Sequence, residues 1–254
     1  MVSNEIEGLE LSAGRFTAIS RQTATGRDTR ELTEANIVGA SYSFTDNFSG
    51  AIHASDIEDH FKKQYINLNY NLPLADTQAL NFDFNGYRTR DDGQALSGEV
   101  DNKIWSLAAA YSLGAHTFTV VHQRSSGDTA YNYGIDGGGT IWLGNSIQIS
   151  DFDRKDERSW QARYDLDMAT FGVPGLSFMA RYVTGDNIDN GVNDEEGEEN
   201  EFNFETKYVI QEGAAKDLSF RVRSAIYRAN SAQNGYSADL NDLRLIVEYP
   251  LSVL

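Results

Sequence analysis

The chain has 254 residues with 21 Lys and Arg against 38 Asp and Glu, a formal net charge of −17, and it holds no Cys, 3 Pro and 22 Gly. That charge argues against a nucleic-acid binder, which needs a basic face to displace counterions from phosphate, and the lack of Cys removes disulfide frameworks, Cys-based zinc sites and thiol catalysis. The most apolar run, Trp105 to Ala115, is interrupted by Ser and Gly and is far shorter than the roughly 18 to 20 residues a membrane-spanning helix requires; the start Met1-Val2-Ser3-Asn4-Glu5 lacks the basic, apolar and small-residue order of a secretory signal.

What recurs along the chain is alternation, the mark of strands whose successive side chains face opposite sides of a sheet. About twelve segments show it, near 5–16, 34–45, 47–56, 61–72, 78–89, 102–113, 115–125, 157–169, 175–185, 201–211, 217–229 and 239–251. In chain order, Ile66, Leu68, Tyr70 and Leu72 alternate with Asn67, Asn69 and Asn71. Trp105, Leu107, Ala109, Tyr111 and Leu113 alternate with mostly small residues. Phe118 and Val120 oppose Thr117, Thr119 and Gln123, and Trp160, Ala162, Tyr164 and Leu166 oppose Gln161, Arg163, Asp165 and Asp167. Phe202, Phe204, Tyr208 and Ile210 face away from Asn203, Glu205 and Lys207; Phe220, Val222 and Ile226 away from Arg221, Arg223 and Tyr227; Leu243, Leu245, Val247 and Tyr249 away from Asp242, Arg244 and Glu248.

Connections alternate as well. Thr45-Asp46-Asn47, Gly114-Ala115 and Phe171 to Gly175 are short, whereas 17–33, 90–101, 126–156 and 186–200 are long and rich in Gly, Asp, Asn and Glu. A soluble antiparallel sheet also alternates. Tight turns at one rim, long loops at the other, aromatics near the segment ends and charges of both signs on the opposite face are instead the pattern of an antiparallel transmembrane β-barrel.

Seven stretches, in this order and spacing, resemble the C-terminal part of the OprD-type (Occ) family of substrate-selective outer-membrane porins: YINLNYNLPL (65–74), YRTRDDGQALSGEVDN (87–102), AHTFTVVHQRSSGD (115–128), NSIQISDFDRKDERSWQARY (145–164), GLSFMARYVTGDNI (175–188), KYVIQEG (207–213) and DLRLIVEYPL (242–251). The resemblance implies an all-β barrel of about 18 strands with short periplasmic turns and long extracellular loops. It implies a lumen narrowed by inward-folded loops, a ladder of basic residues guiding carboxylates, and integral outer-membrane localisation. On this reading, residues 1–254 form a single porin barrel domain holding the family's last twelve strands. The early strands, the main constriction loop and the signal peptide are absent, and Leu254 stands where such barrels commonly end in an aromatic. An even count would leave both termini at one rim and permit closure into a narrower barrel.

The expected function is passive uptake of small carboxylate-bearing solutes such as amino acids and aromatic or other organic acids. Inward Arg163, Arg181, Lys207, Arg221, Arg223 and Arg244 would form the ladder, with Lys207, Arg221 and Arg223 the closest matches to the family pattern. A row of guanidinium groups replaces a carboxylate's hydration stepwise. The simpler alternative pairs them with inward Asp165, Asp167, Glu205, Asp242 and Glu248. The loop Gly127 to Glu157, by its length and family position, is expected to fold into the mouth, with Asp136, Asp151 or Asp153 facing the ladder.

The acidic stretch Asp189 to Glu201 fails the EF-hand pattern and reads as a solvated charge run. The four histidines form no HExxH, no Ser lies in GxSxG, and Gly137 to Thr140 is no phosphate loop, so no enzyme, metal or cofactor is expected. Expected partners are carboxylate solutes, outer-membrane lipid and lipopolysaccharide, with no nucleic acid and a monomeric or weakly homo-oligomeric state. The competing class is a truncated or re-engineered barrel that serves as a non-conducting scaffold; bilayer current separates the two.

Overall fold

The computed structural model describes all residues except 21–22, 27–31, 136–140, 192–194, 234–238 and 251–254. It contains β1 (Val2–Ile6), β2 (Leu9–Phe16), β3 (Ala35–Thr45), β4 (Phe48–Ile57), β5 (Phe61–Ala75), β6 (Gln78–Asp91), β7 (Asp101–Leu113), β8 (His116–Gly127), β9 (Arg158–Asp167), β10 (Leu176–Ile188), β11 (Gly197–Val209), β12 (Ser219–Ala229) and β13 (Asp239–Glu248). All 13 lie in one sheet in chain order, each antiparallel to the next. Among the described residues β1 pairs only with β2 and β13 only with β12.

The strand count corrects the sequence reading, which took 5–16 as a single segment. Ile6 pairs with Leu9 around a Glu7-Gly8 turn, and Gly8 has φ +75°. A two-residue hairpin needs that left-handed backbone, which glycine adopts at little cost. Among the described residues the count is odd, so β1 and β13 run in the same direction and the start of β1 and the end of β13 lie at opposite rims, not at one rim as twelve strands would place them. The asymmetry of connections holds. One rim carries the tight turns 7–8, 46–47, 76–77 and 114–115 with the compact links 168–175 and 210–218; the other carries 17–34, 92–100, 128–157, 189–196 and 230–238, with 58–60 the short exception.

The two faces of the sheet have opposite chemistry. On the outer face Phe118, Trp160 and Phe220 are 50%, 55% and 45% exposed. Leaving such rings in water would forfeit about 1.5–3 kcal/mol each, so this face is built for hydrocarbon. Along the short-turn rim Phe48 pairs with Tyr70, Tyr111 with Phe118, Phe118 with Tyr164, and Tyr208 with Phe220. Their rings form the interfacial girdle of a membrane barrel.

The inner face is covered near the long-loop rim. Tyr131, Ile141 and Leu143 from the 128–157 connection pack on inward Tyr65, Tyr87 and Ile104. A second cluster joins Leu32 and Ile135 to Ala35 and Phe61. This part of the interior is apolar and packed, not wet throughout as alternation alone suggests.

Candidate functional site

Pairing places every basic position named from the sequence on the inner face of β9–β13, in three successive rungs. Arg163 lies directly across from Arg181, Arg223 from Arg244, and Lys207 from Arg221. The rungs are linked through Met179↔Glu205↔Arg223 and Ser177↔Lys207; each is a step of two residues, about 6.7 Å, along the strand direction from the next, and they are also offset across the sheet, on β9–β10, then β12–β13, then β11–β12. Each therefore carries two like charges side by side, an arrangement unfavourable by itself and well suited to an anion passing between them.

Inward acids offset part of this charge. Arg163 makes a two-pronged bond to Asp165 at 2.7 Å for each nitrogen. Glu205 sits between Arg223 at 3.0 Å and Arg221 at 3.7 Å, Glu248 lies 3.5 Å from Arg221, and Asp242 binds Arg244 at 2.6 Å. Asp167 accepts the Ala169 N–H at 2.8 Å instead of joining a base. Arg181, only 8% exposed, has no ion pair among the described residues and donates to the Asn203 side-chain oxygen at 2.8 Å. The Nε atoms of Arg221 and Arg223 are buried and make no hydrogen bond. Cations with and without an ion pair among the described residues thus stand on one wall.

The 128–157 connection lies against the same inner face, pinned to successive strands. The Lys63 ammonium on β5 donates to the carbonyls of Asn132 and Tyr133, the latter at 2.8 Å, and sits 4.3 Å from the centre of the Tyr131 ring. Trp142 N–H donates to the Tyr87 hydroxyl at 2.9 Å, Gly144 N–H to Ser106 at 2.9 Å, and Asn145 N–H to Gln123 at 3.0 Å. Further on, Ser150 N–H donates to Glu201 at 2.9 Å and Ser150 Oγ to Glu199 at 2.6 Å. Gln148 donates to Asp242 at 3.2 Å while its carbonyl accepts from Arg244 at 3.2 Å. The root of the loop sits so close to β10 that a Cβ on Gly185 would lie 2.2 Å from Glu157 Oε1 and 2.9 Å from Phe152.

Glu199 and Glu201 correct the reading of Asp189 to Glu201 as a solvated run: both are fully buried and serve as loop anchors. Sequence reasoning missed them because the parity that turns Asn203 and Glu205 inward was not carried two rungs further back. Asp189 behaves as an exposed acid, held below its ordinary range by hydrogen bonds from Lys155 and the Gly191 N–H.

Of the three acids named in the loop, Asp136 lies outside the described residues. Asp151 and Asp153 come together around the Tyr133 hydroxyl, which is 2.6 Å from Asp153 and also reaches Asp151; Ser146 Oγ donates to Asp151. The Asp151 and Phe152 carbonyls accept from Gln123 on β8 at 2.8 Å, so these carboxylates stand next to the strands that carry the ladder. Burial raises the Asp153 carboxyl from 3.8 to about 6, against the Tyr133 hydrogen bond that lowers it. Burial pushes the Tyr133 hydroxyl far above its usual range, with the Asp153 charge adding to it. Burial and the Glu199 charge likewise push Glu157 well up.

A carboxyl raised on folding binds its proton more tightly in the folded than in the unfolded chain. The contribution of Asp153 to stability is therefore fully present below about pH 4 and is lost as pH rises through about 6, by roughly 3 kcal/mol for a two-unit shift. Asp153→Asn is expected to remove this step from the pH dependence of the thermal midpoint in detergent, while the wild type keeps it. An unchanged step in the variant would show that Asp153 is not its source.

Comparison with known proteins fixes the family. Residues 1–253 match the family described as outer membrane porin, OprD family. The chain belongs to the OprD family of outer-membrane porins. It is 46% identical over 280 residues to Porin D of Pseudomonas aeruginosa, covering 99% of this chain and 62% of that one. It is 32% identical to the porin-like protein GalP of Pseudomonas putida, covering 100% of this chain and 62% of that protein.

The crystal structure of Pseudomonas aeruginosa OprD superposes with a TM-score of 0.87 at 46% identity, over 100% of this chain and 69% of that one. That of Pseudomonas aeruginosa OpdK with vanillate gives 0.84 at 31% identity, over 98% and 66%. The chain spans 62% of the length of Porin D and of GalP. The family assigns it to the bacterial outer membrane as an antiparallel β-barrel protein, and its relatives are channels, not enzymes.

Proposed function

We propose that the barrel containing residues 1–254 as a single domain is a passive channel for small carboxylate-bearing solutes, amino acids and aromatic or other organic acids among them. The observation that carries this reading is the three-rung column of directly opposed cations on β9–β13. A carboxylate descending the wall exchanges one pair of donors for the next without ever being held by all of them. The similar OpdK structure was solved with vanillate, a carboxylate, which supports the same solute class here.

Asp151 and Asp153, on a loop hydrogen-bonded to the ladder wall, suit the ammonium end of an amino acid, and the loop itself narrows the passage. Lipid and lipopolysaccharide surround the barrel, which works as a monomer or a weak homo-oligomer. Purified protein in planar bilayers tests the proposal. Discrete conductance steps whose reversal potential under a benzoate gradient favours the anion are expected. Absence of current from correctly folded protein would leave the non-conducting scaffold as the remaining reading.

A further inference from the structure

Six basic residues that play no part in the ladder gather on the outer face at the long-loop end of β5–β9. Lys62 lies directly across from Arg90, Arg88 from Lys103, and Arg124 from Arg158. They share the parity of Ile66, Phe84, Trp105 and Trp160, so they point away from the lumen.

Opposed like charges destabilise a sheet, and the protein answers only half of them. Asp101 takes Arg88 with two bonds, Asp92 and Asp56 take Lys62 at 2.9 and 3.3 Å, and Asp186 takes Arg158 at 2.9 Å. One member of each pair, Arg90, Lys103 and Arg124, is exposed and has no ion pair among the described residues. In a chain of net charge −17, three open cations on one diagonal across β6, β7 and β8, with Arg90 and Lys103 bordering one apolar groove, are not explained by general surface composition.

Directly below them runs a groove of about 680 Å³, floored by Ile52, Ile66, Phe84 and Trp105, with Arg88, Arg90 and Lys103 at its upper end. It is open because residue 86 is Gly: a Cβ there would meet Phe84 at 3.4 Å and Ile66 at 3.5 Å, ordinary contact distances, so nothing but the missing side chain keeps the space clear. Cations above an apolar trough, on a face that meets the outer leaflet, match an anionic amphiphile: phosphate oxygens suit guanidinium and ammonium donors, and an acyl chain suits the trough.

We propose that this surface binds the phosphorylated head of an outer-leaflet glycolipid, with one acyl chain lying over Gly86. The inference rests on the outer-membrane location and not on conduction, so its failure leaves the ladder untouched.

The test uses the protein purified in non-ionic detergent, incubated in turn with bis-phosphorylated lipid A, with its dephosphorylated form and with inorganic phosphate, and weighed by native mass spectrometry. Wild type is expected to retain lipid A at one copy per chain and to retain neither control. The triple variant Arg90→Gln, Lys103→Gln, Arg124→Gln is expected to lower retention at least about tenfold. Gly86→Leu, which fills the trough and leaves every charge in place, is expected to lower it severalfold and carries the test independently should the triple variant misfold. Equal retention of dephosphorylated lipid would overturn the proposal in favour of plain hydrophobic adsorption. Inorganic phosphate held as tightly as lipid A would assign the cations to a free anion, and Gly86→Leu binding like wild type would remove the acyl chain from the site.

Discussion

Replacing Arg221 and Arg223 with glutamine is expected to lower carboxylate flux through the channel by about ten- to a hundredfold at low solute concentration, while neutral-sugar leak changes by less than about twofold. The estimate takes the solute to lose one charge-assisted hydrogen bond at the slowest rung, worth roughly 1.5–3 kcal/mol, and every 1.4 kcal/mol is a factor of ten. Both residues turn a buried Nε toward Glu205, and they occupy neighbouring rungs.

A second effect acts in the same direction. Glu205 lies 3.0 Å from one arginine and 3.7 Å from the other, so removing both leaves an uncompensated anion where carboxylates pass. Adding Glu205→Gln to the double variant is therefore expected to restore part of the flux. Lys207→Gln alone should cost less, since an ammonium lacks the paired donors of a guanidinium. Raising ionic strength should narrow the gap between wild type and variant, because the Debye length shrinks to about 3 Å at 1 M salt. Equal losses for neutral and charged solutes would mean that the variants deform the pore, and the ladder would then play no part in selection.

Alternation carried the sequence reading as far as it did because parity is a property of each strand alone. Asn203, Glu205 and Lys207 on one face oblige Phe202, Phe204 and Tyr208 to take the other, and the structure places them so. The same rule turned Arg163, Arg181, Lys207, Arg221, Arg223 and Arg244 inward, where the pairing places them.

Parity cannot say what covers a face once it points inward. The 128–157 connection has no period, so its docking on Tyr65, Tyr87 and Ile104 was not visible, although three large side chains at inward positions of β5, β6 and β7 are a signal that something apolar must pack on them. Lys63 was missed for the same reason: its partners are backbone carbonyls of the loop, which no pattern of side chains encodes. The hairpin at Gly8 escaped because its only mark in the pattern is a one-residue change of phase, Ile6 at an even position and Leu9 and Leu11 at odd ones, across Glu7-Gly8.

Substituting Glu201 by glutamine is expected to unseat the loop's far end and raise both the unit conductance and its noise. Glu201 is fully buried and accepts from Ser150 N–H at 2.9 Å, from Ile149 N–H at 3.2 Å on each oxygen, and from the Asn203 amide at 2.7 Å. Both of its oxygens are thus committed as acceptors. Glutamine keeps the shape but turns one oxygen into an NH2 that faces donors, leaving a buried donor unsatisfied at about 1–3 kcal/mol and losing charge assistance as well.

Against this stands relief of the cost of burying a carboxylate close to Glu199. With four accepted contacts the lost bonds outweigh that relief, because removing the acceptor from a satisfied buried charge strands its partners. A net loss of about 3 kcal/mol corresponds to roughly a hundredfold rise in the open population of the loop. Hydrogen exchange of peptides covering 146–153 reads this directly: protection in the variant is expected to fall about a hundredfold there and to hold in 141–145, whose N–H groups keep their partners on β6–β8, and in β9–β12. Unchanged protection would show that Lys63, Tyr87, Ser106 and Gln123 seat the loop by themselves. The anchors on β5–β8 hold one arm of the connection and those on β11–β13 the other, so cutting the second set should swing the loop's far end away from the ladder without releasing it from the wall.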